Sequence, residues 1–135
     1  MIYLLDTNVL SEVMKKHPNA GVLRRLAEIS PREIATSVVC LSELRYGAAR
    51  VAKGGRLWQH IANEVLRRVT VLPLGAAEAL RAGDLMAELE KRGEPIGIEE
   101  VWIAATAMEH ALTLVTRNLR HFTRITGLRS ESWWE

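Results

Sequence analysis

GEPIGIEEVWIAATAMEHALTLVTRN, residues 93–118, is the stretch of the sequence that decides the fold. It predicts a loop, a helix from about residue 98 to residue 111, and a buried strand at Leu112–Thr116. Small side chains at Ala104, Ala105 and Ala107 imply that the helix packs closely against its neighbours. A helix that leads directly into an apolar strand is typical of an α/β protein.

The rest of the chain repeats this alternation of strands and helices. Short apolar or β-branched runs predict further strands at residues 2–5, 34–36 and 69–72. Apolar residues at helical spacing predict helices at about 7–17, 20–30, 38–53, 56–68 and 76–92, the last through Ala79, Leu80, Met86 and Leu89. We therefore expect a single α/β domain, residues 1–135, in which helices flank a central, mainly parallel sheet of about four to five strands.

The composition excludes several classes of protein. The chain has 135 residues, of which 48% are hydrophobic, and a net charge of +2, which allows an anionic partner without requiring one. Cys40 is the only cysteine, so no intramolecular disulfide can form, and no stretch resembles a secretory leader or a membrane span. We expect a protein of the reducing cytoplasm that does not enter a membrane.

Two classes of functional site, zinc centres and nucleotide-binding sites, are also disfavoured by the motifs that the sequence lacks. The four histidines show no zinc-binding spacing, and each is interpreted as a surface or helix-end residue: His17, His60, His110 and His121. No P-loop and no G-x-G-x-x-G motif is present, which argues against nucleotide-driven chemistry.

Polar side chains follow three of the predicted strands. Asp6 ends the first strand, Glu43 lies near the start of the helix after the second, and Asn118 lies two residues after Thr116. Glu99 and Glu100 occupy the first turn of a helix that leads into a strand. Open α/β sheets bind ligands at the carboxyl ends of their strands, so several of these groups could converge there. Converging carboxylates without histidine or cysteine ligands favour Mg²⁺ or Mn²⁺.

Each acid also has a purely structural explanation. Asp6 could simply cap the first helix, and Glu43 could be a solvated helical acid. Glu99 and Glu100 could serve the dipole of their helix from its first turn. Taken one at a time, these structural roles are the better interpretation, and only the joint arrangement favours a site.

Four motifs in order resemble those of a known family: LLDTNVLSE, SVVCLSELRYG, PIGIEEVWIAATA and LTLVTRNLRHF. They resemble the PIN-domain nucleases, specifically the VapC-like toxins of type II toxin–antitoxin pairs, over nearly the whole chain. The resemblance implies a single PIN domain and a metal-dependent endoribonuclease that hydrolyses RNA phosphodiester bonds with Mg²⁺ or Mn²⁺.

The resemblance also assigns site residues. The family's first acid falls on Asp6 and its second on Glu43; with Glu100, these are expected to hold the metal. Asn118 occupies the fourth catalytic position, where the family has Asp or Asn. Glu100 departs from the usual Asp by one methylene, so its side chain must fold back or move the ion. We expect Glu100→Asp not to lower activity.

Arginines near these motifs are candidates for binding substrate phosphates. We predict this role for Arg45, Arg117 and Arg120, with Lys53 and Arg56 as more distant candidates. Arg45 and Arg117 could instead pair with the acids.

The resemblance implies partners as well as a reaction. A VapB-like antitoxin, an RNA substrate and homodimerisation are expected, with DNA contacted only indirectly through the antitoxin. Trp58, Val65 and Leu66 could form one of the protein interfaces or could belong to the core. The two tryptophans of the tail SESWWE are expected to pack on the body or on a partner.

The sequence also allows two rival functions. The chain could be a catalytically weak or inactive PIN subunit that acts by dimerisation and by binding in an antitoxin–DNA complex. An aspartyl-phosphate phosphatase would also place an Asp after the first strand, but it usually needs a second Asp where this chain has Asn8.

Overall fold

The computed structural model describes residues 1–135, and its five strands all run parallel in one sheet. The strands are β1 (Tyr3–Leu5), β2 (Ile34–Ser37), β3 (Thr70–Leu72), β4 (Thr113–Val115) and β5 (Ser130–Glu131). Their order across the sheet is β3-β2-β1-β4-β5. The predicted α/β fold with a parallel sheet is therefore confirmed.

Seven α-helices surround this sheet. They are α1 (Thr7–Glu12), α2 (Ala20–Glu28), α3 (Val38–Ala49), α4 (Gly54–Glu64), α5 (Ala76–Lys91), α6 (Ile98–Glu109) and α7 (Leu119–Phe122). Two 3₁₀ turns, Pro31–Glu33 and Leu66–Arg68, precede β2 and β3. Asn19 and Ser37 cap α2 and α3 through their side chains, which accept hydrogen bonds from backbone N–H groups of the first turn.

The first helix is shorter than the sequence predicts. It ends at Glu12, well before His17, because the carboxylate of Glu12 accepts a 2.8 Å hydrogen bond from the backbone N–H of Asn19. Lys15 pairs with the same side chain at 2.9 Å. These contacts hold residues 13–19 in a turn that folds back over the end of the helix.

The buried face of α5 also differs from the predicted one. Ala82, Leu85 and Leu89 enter the core, whereas Leu80 is 73% exposed. The buried stripe begins at Glu78, and positions 78, 82, 85 and 89 fall on one side of a helix with 3.6 residues per turn. The prediction that Leu80 lies on the buried face of α5 was therefore wrong.

Helix α6 is the most deeply buried helix, as its small residues predict. Ala104, Ala105 and Ala107 have no exposed surface. The C-terminal tail also packs on the body, because β5 pairs with β4 and the ring of Trp133 contacts Tyr3 edge-to-face, 5.3 Å between centroids. None of the helices combines the length and the apolar character that crossing a bilayer requires.

The order of the strands creates one special crevice. The strands β2 and β3 lie on one side of β1, whereas β4, the next strand along the chain, lies on its other side. In parallel sheets, the crevice between the two central strands where the order reverses is the usual ligand site. The residues that follow β1 and β4 therefore face the same opening.

Candidate active site

Asp6 lies at this crevice, between the last residue of β1 and the first residue of α1. Its Oδ1 accepts from the backbone N–H of Thr7 at 2.8 Å, which makes it the N-cap of α1. Its Oδ2 accepts from the hydroxyl of Thr116 at 2.8 Å and from the amide of Asn8 at 3.3 Å. Asp6 therefore has the capping role that the sequence allows, while its second oxygen joins a polar cluster.

Burial raises the pKa of Asp6 above its ordinary value, although the hydrogen bonds from Thr116 and Thr7 partly oppose this shift. The negative charge of Glu100 raises the same pKa further. A carboxylate that is 7% exposed and faces another acid is costly to ionise. The site therefore favours either a proton or a cation at Asp6.

Glu43 approaches Asp6 from α3, the helix that follows β2 directly. Its Oε1 accepts a 2.8 Å hydrogen bond from the hydroxyl of Thr7. Burial of its carboxylate raises the pKa of Glu43, and the charges of Asp6 and Glu99 add to the shift. Thr7 thus links the two acids, because its backbone contacts one and its hydroxyl contacts the other.

Cys40 completes a cluster of three ligand atoms that sequence reasoning did not find. The thiol of Cys40 and the carboxylate oxygens of Asp6 and Glu43 all lie within 4.8 Å of one another. Burial raises the pKa of this thiol, which keeps it protonated beside the acids. The signal was present in the sequence, since Cys40 lies one helical turn before Glu43.

Glu100 reaches the site from the first turn of α6. Its Oε1 folds back to accept from the backbone N–H of Gly97 at 3.0 Å. Its Oε2 accepts from the amide of Asn118 at 2.9 Å and from Nδ1 of His121 at 2.8 Å. The longer side chain therefore folds back, one of the two outcomes the sequence allows, and its carboxylate acts on Asp6 and Glu43 through charge.

The four candidate catalytic residues line one open cleft of about 590 Å³, whereas Cys40, Thr116 and His121 contact them from behind its surface. Its walls come from α1, α3, α6 and the segment after β4, and its lining is mostly polar: Asp6, Thr7, Asn8, Ser11, Glu12, Lys15, Glu43, Gly97, Glu99, Glu100, Ile103, Arg117, Asn118 and Trp134. The structure thus brings together all four candidate catalytic residues, which are separated by up to 112 positions in the sequence.

The donor set of this cleft fits a divalent cation. Two carboxylates lie within 4.8 Å of each other, and both have raised pKa values, chiefly because burial penalises their charged forms and in smaller part because neighbouring acids repel them. A bound cation would relieve that repulsion, and oxygen donors are the ligands of hard ions. The buried, protonated thiol is a poor ligand in comparison.

Comparison with protein families agrees with this geometry. The family model of the PIN domain matches residues 3–128. The chain belongs to the PIN-domain family. Its relatives include Ribonuclease VapC2 of Haemophilus influenzae, 36% identical over 131 residues and 97% of both chains. The tRNA(fMet)-specific endonuclease VapC of Shigella flexneri is 37% identical over the same fraction of both chains.

Solved structures share the architecture of this PIN domain. VapBC2 from Rickettsia felis, bound to a DNA fragment from its promoter, has a chain with a TM-score of 0.88 and 34% identity, covering 98% of this chain and 99% of that one. DNA-bound VapBC from Salmonella typhimurium gives a TM-score of 0.90 at 32% identity, with 98% of each chain covered. The predicted resemblance to VapC-like proteins is therefore confirmed.

The three candidate arginines occupy different positions on the PIN domain. Arg117 lines the cleft, and its guanidinium carbon lies 5.5 Å from the ring centroid of Trp134. Arg45 lies outside the cleft lining, with its guanidinium 5.0 Å from the ring centroid of Trp58. Arg120 is exposed on α7, also outside the lining. Neither Arg45 nor Arg117 forms a salt bridge with the acids.

Three further residues of the PIN domain's site were missed by sequence reasoning. Glu12 is a buried acid in the cleft wall, and its hydrogen bonds from Lys15 and from the N–H of Asn19 lower its pKa. Trp134 reaches the cleft from the C-terminal tail. His121, interpreted above as a surface or helix-end residue, contacts Glu100. No spacing rule signals the positions of Trp134 and His121, because each joins segments that are remote in the sequence, whereas Glu12 contacts residues only three and seven positions further on.

Proposed function

We propose that this protein is a metal-dependent endoribonuclease, the toxin of a type II toxin–antitoxin pair. The observation that carries the proposal is the pair of facing carboxylates, Asp6 and Glu43, at the strand-order switch of a PIN domain. The names of its relatives support the reaction class, since they are described as ribonuclease VapC and tRNA(fMet)-specific endonuclease.

In this proposal, Asp6, Glu43 and Glu100 hold Mg²⁺, which Mn²⁺ can replace. When bound, the ion would lower the pKa of a water and stabilise negative charge on the phosphoryl and leaving oxygens. Asp6 would present its carboxylate to the ion in an orientation that Thr116 and Asn8 fix through Oδ2 and the N–H of Thr7 fixes through Oδ1. Glu43 is held by Thr7.

The remaining residues of the cleft bind and orient the substrate. Arg117 is exposed at the rim, where its charge can neutralise a backbone phosphate next to the acids. Asn118 fixes Glu100 through its amide, while its backbone N–H donates to the hydroxyl of Thr116 at 2.9 Å. Asn118 therefore acts as a catalytic-site residue that connects the Asp6 and Glu100 sides of the cleft. Arg45 and Arg120 would act further along the RNA chain.

The substrate class follows from the cleft and from the relatives. The cleft is open and polar, which suits a phosphodiester backbone better than a buried small molecule. Because the Shigella flexneri relative is named for tRNA(fMet), initiator tRNA is the first substrate to test.

A VapB-like antitoxin is the proposed partner, since the neighbouring solved structures are VapBC complexes. An apolar groove of about 580 Å³ between α1, α2 and α4 would receive an apolar segment of the antitoxin; its lining includes Met14, Leu23, Leu26 and Val65. Of the three residues suggested for an interface, Val65 lines this groove, whereas Trp58 and Leu66 pack elsewhere on the core. We propose a cytoplasmic homodimer that contacts DNA only through the antitoxin.

The decisive experiment is cleavage of initiator tRNA and a mixed pool of tRNA and ribosomal RNA by antitoxin-free protein with Mg²⁺ or Mn²⁺. We expect defined cuts that disappear with EDTA and with Asp6→Ala. Arg32→Ala is the matched surface control, because Arg32 precedes β2 at the opposite, amino edge of the sheet. Cleavage that survives Asp6→Ala would refute the assigned site.

The alternative is a catalytically weak subunit that works by binding. This alternative stays in the test because Glu100 is not among the groups whose ligand atoms lie within 4.8 Å of one another, which are Asp6, Cys40 and Glu43. An absence of cleavage by wild type together with cleavage by Glu100→Asp would show that Glu100 disables the site. An absence of cleavage by both proteins would support the binding subunit.

A further inference from the structure

His121 makes a specific contact with the active-site cleft. Helix α7 begins at Leu119, immediately after Asn118, and residues three apart on a helical turn share a face. The side chains of Asn118 and His121 therefore approach Glu100 together, and both reach the same oxygen, Oε2, at 2.9 Å and 2.8 Å.

The hydrogen-bonding capacity of Glu100 makes this contact informative. A carboxylate only accepts hydrogen bonds, so the contact with Oε2 is a hydrogen bond in the tautomer that carries a proton on Nδ1 of His121. The amide nitrogen of Asn118 lies 3.0 Å from the same Nδ1, and in that tautomer it donates to Oε2 and not to the ring. The N–H of Gly97 takes one position on Oε1, and two donors share Oε2. A carboxylate has about four acceptor positions. Three protein donors thus fix the plane of the group and leave about one position for a further partner.

A glutamate side chain needs such support more than a shorter acid does. Each extra rotatable bond adds conformational freedom that must be lost before the carboxylate can occupy one place. Glu100 is 21% exposed on its side chain, so packing alone does not confine it. The contacts from Gly97, Asn118 and His121 supply that restraint.

We propose that His121 is a positioning residue of the metal centre, which holds the carboxylate of Glu100 in the orientation from which it acts with Asp6 and Glu43. The inference rests on the proposed function, because it assumes that Glu100 serves a bound divalent ion. Partners that orient metal-binding groups typically change metal affinity or activity by 10- to 100-fold when they are removed.

The protein contains a matched pair that has no such role. His110 contacts Glu78 at 3.2 Å, and its side chain is 33% exposed, against 32% for His121. This second pair joins α5 to the end of α6 and does not line the cleft. His110→Ala therefore controls for the loss of an ordinary histidine–glutamate contact.

The test measures Mn²⁺ binding by titration calorimetry on the full-length protein, with thermal melting to verify folding. We expect His121→Ala to bind Mn²⁺ about tenfold more weakly than wild type, the lower end of the effect of removing such a partner. His110→Ala should bind as wild type does. His121→Asn should recover most of the affinity, because its amide nitrogen replaces Nδ1 at the same distance along the side chain.

A double-mutant cycle separates positioning from a general effect on folding. Glu100→Asp shortens the acid beyond the reach of His121, so His121→Ala should have no further effect in that background. Equal affinities of wild type and His121→Ala, or a loss of the same size in the Glu100→Asp background, would overturn the proposal while leaving the nuclease assignment intact. A wild type without Asp6-dependent Mn²⁺ binding would refute both.

A kinetic measurement gives a second, independent readout. If His121 positions Glu100, RNA cleavage by His121→Ala should show a lower kcat with a nearly unchanged KM, because the RNA contacts made by Arg117 remain. A raised KM with an unchanged kcat would instead identify His121 as an RNA-binding residue and would overturn the positioning role.

Discussion

The hydroxyl of Thr116 donates a 2.8 Å hydrogen bond to Oδ2 of Asp6, although the two residues are 110 positions apart in the chain. The contact exists because β1 and β4 are neighbours in the sheet. Leu5 is paired with Val115, so the residues that follow them, Asp6 and Thr116, lie beside each other. Both residues are buried, and Thr116 has no exposed surface. The bond therefore stabilises a carboxylate that has little access to water.

Removal of this donor should weaken both the fold and the site. Thr116→Val leaves a buried oxygen of Asp6 with fewer partners, and we expect a loss of about 1.5–3 kcal/mol in the free energy of unfolding at pH 7. The pKa of Asp6 should rise further, so Mn²⁺ binding at neutral pH should also weaken. Urea unfolding and calorimetric titration measure the two effects.

The control for this variant is Thr106→Val. Thr106 is equally buried, but its hydroxyl bonds the neutral carbonyl oxygen of Trp102 within α6. Thr106→Val should lower the free energy of unfolding by a smaller amount, about 0.5–1.5 kcal/mol, and should leave Mn²⁺ binding unchanged. Equal losses from both variants, with equal metal affinity, would show that Thr116 has no special relation to Asp6.

Neutralising Asp6 should stabilise the metal-free protein. Burial raises the pKa of Asp6, so folding favours its protonated form and its contribution becomes unfavourable as the pH rises from the ordinary carboxyl pKa through the raised one. Asp6→Asn removes the free-energy cost of ionising this carboxyl group, so its melting temperature in EDTA at pH 7 should exceed that of wild type. Each kcal/mol of that cost corresponds to a rise of about 2–4 °C.

Addition of metal should make wild type melt at a higher temperature than Asp6→Asn. Mn²⁺ at about 100 times its dissociation constant would stabilise wild type by about 2.7 kcal/mol and Asp6→Asn by much less. Thermal melting with and without Mn²⁺ tests both statements. A wild type that melts above Asp6→Asn in EDTA would contradict the penalty inferred for Asp6.

Loss of the cleft arginine should affect RNA binding more than chemistry. Arg117→Ala removes one phosphate contact, so KM should rise and the dependence of RNA affinity on salt should fall by about 0.7 in log–log slope for a single strand. Affinity can be measured by fluorescence anisotropy in the Asp6→Ala background, which prevents cleavage. Arg32→Ala, at the amino edge of the sheet, is the charge-matched control, and an equal effect from both would argue against a specific contact.

Glu78 gives a prediction about pH that does not depend on metal. Its pKa is lowered by hydrogen bonds, first from its own backbone N–H and then from His110. A lowered pKa in the folded protein contributes stability above the ordinary carboxyl pKa, and this stability disappears as the pH falls through the lowered value.

Glu78→Gln should therefore lower the melting temperature at pH 7 and have little effect near pH 3. Glu90→Gln, at an exposed position of the same helix, is the control and should change the melting temperature little at either pH. A destabilisation by Glu78→Gln that grows as the pH falls would contradict the direction of the pKa shift.

Much of the fold could be predicted because local periodicity encodes it. The strands at Tyr3–Leu5, Ile34–Ser37 and Thr113–Val115 and the helix Ile98–Glu109 appear close to their predicted bounds. The short elements α7 and β5 were not predicted, since four and two residues are too few to establish a period. The strand β5 forms only because β4 offers it an edge.

The sequence by itself determined which residues could form the site. Asp6 and Asn118 follow predicted strands, Glu100 lies in the first turn of a helix, and Glu43 lies in the helix after the second strand. Parallel strands direct their carboxyl ends to one edge of the sheet. The motifs that carry these residues also predicted the PIN-domain family, which the match over residues 3–128 confirms.

Only the tertiary structure decided how these side chains are paired. The order β3-β2-β1-β4-β5 places Thr116 beside Asp6, and the return of the chain through α7 places His121 against Glu100. It also brings Cys40 to the acids. A sequence pattern reports which face of its own helix or strand a residue occupies, whereas contacts between remote elements depend on the order and packing of those elements in space.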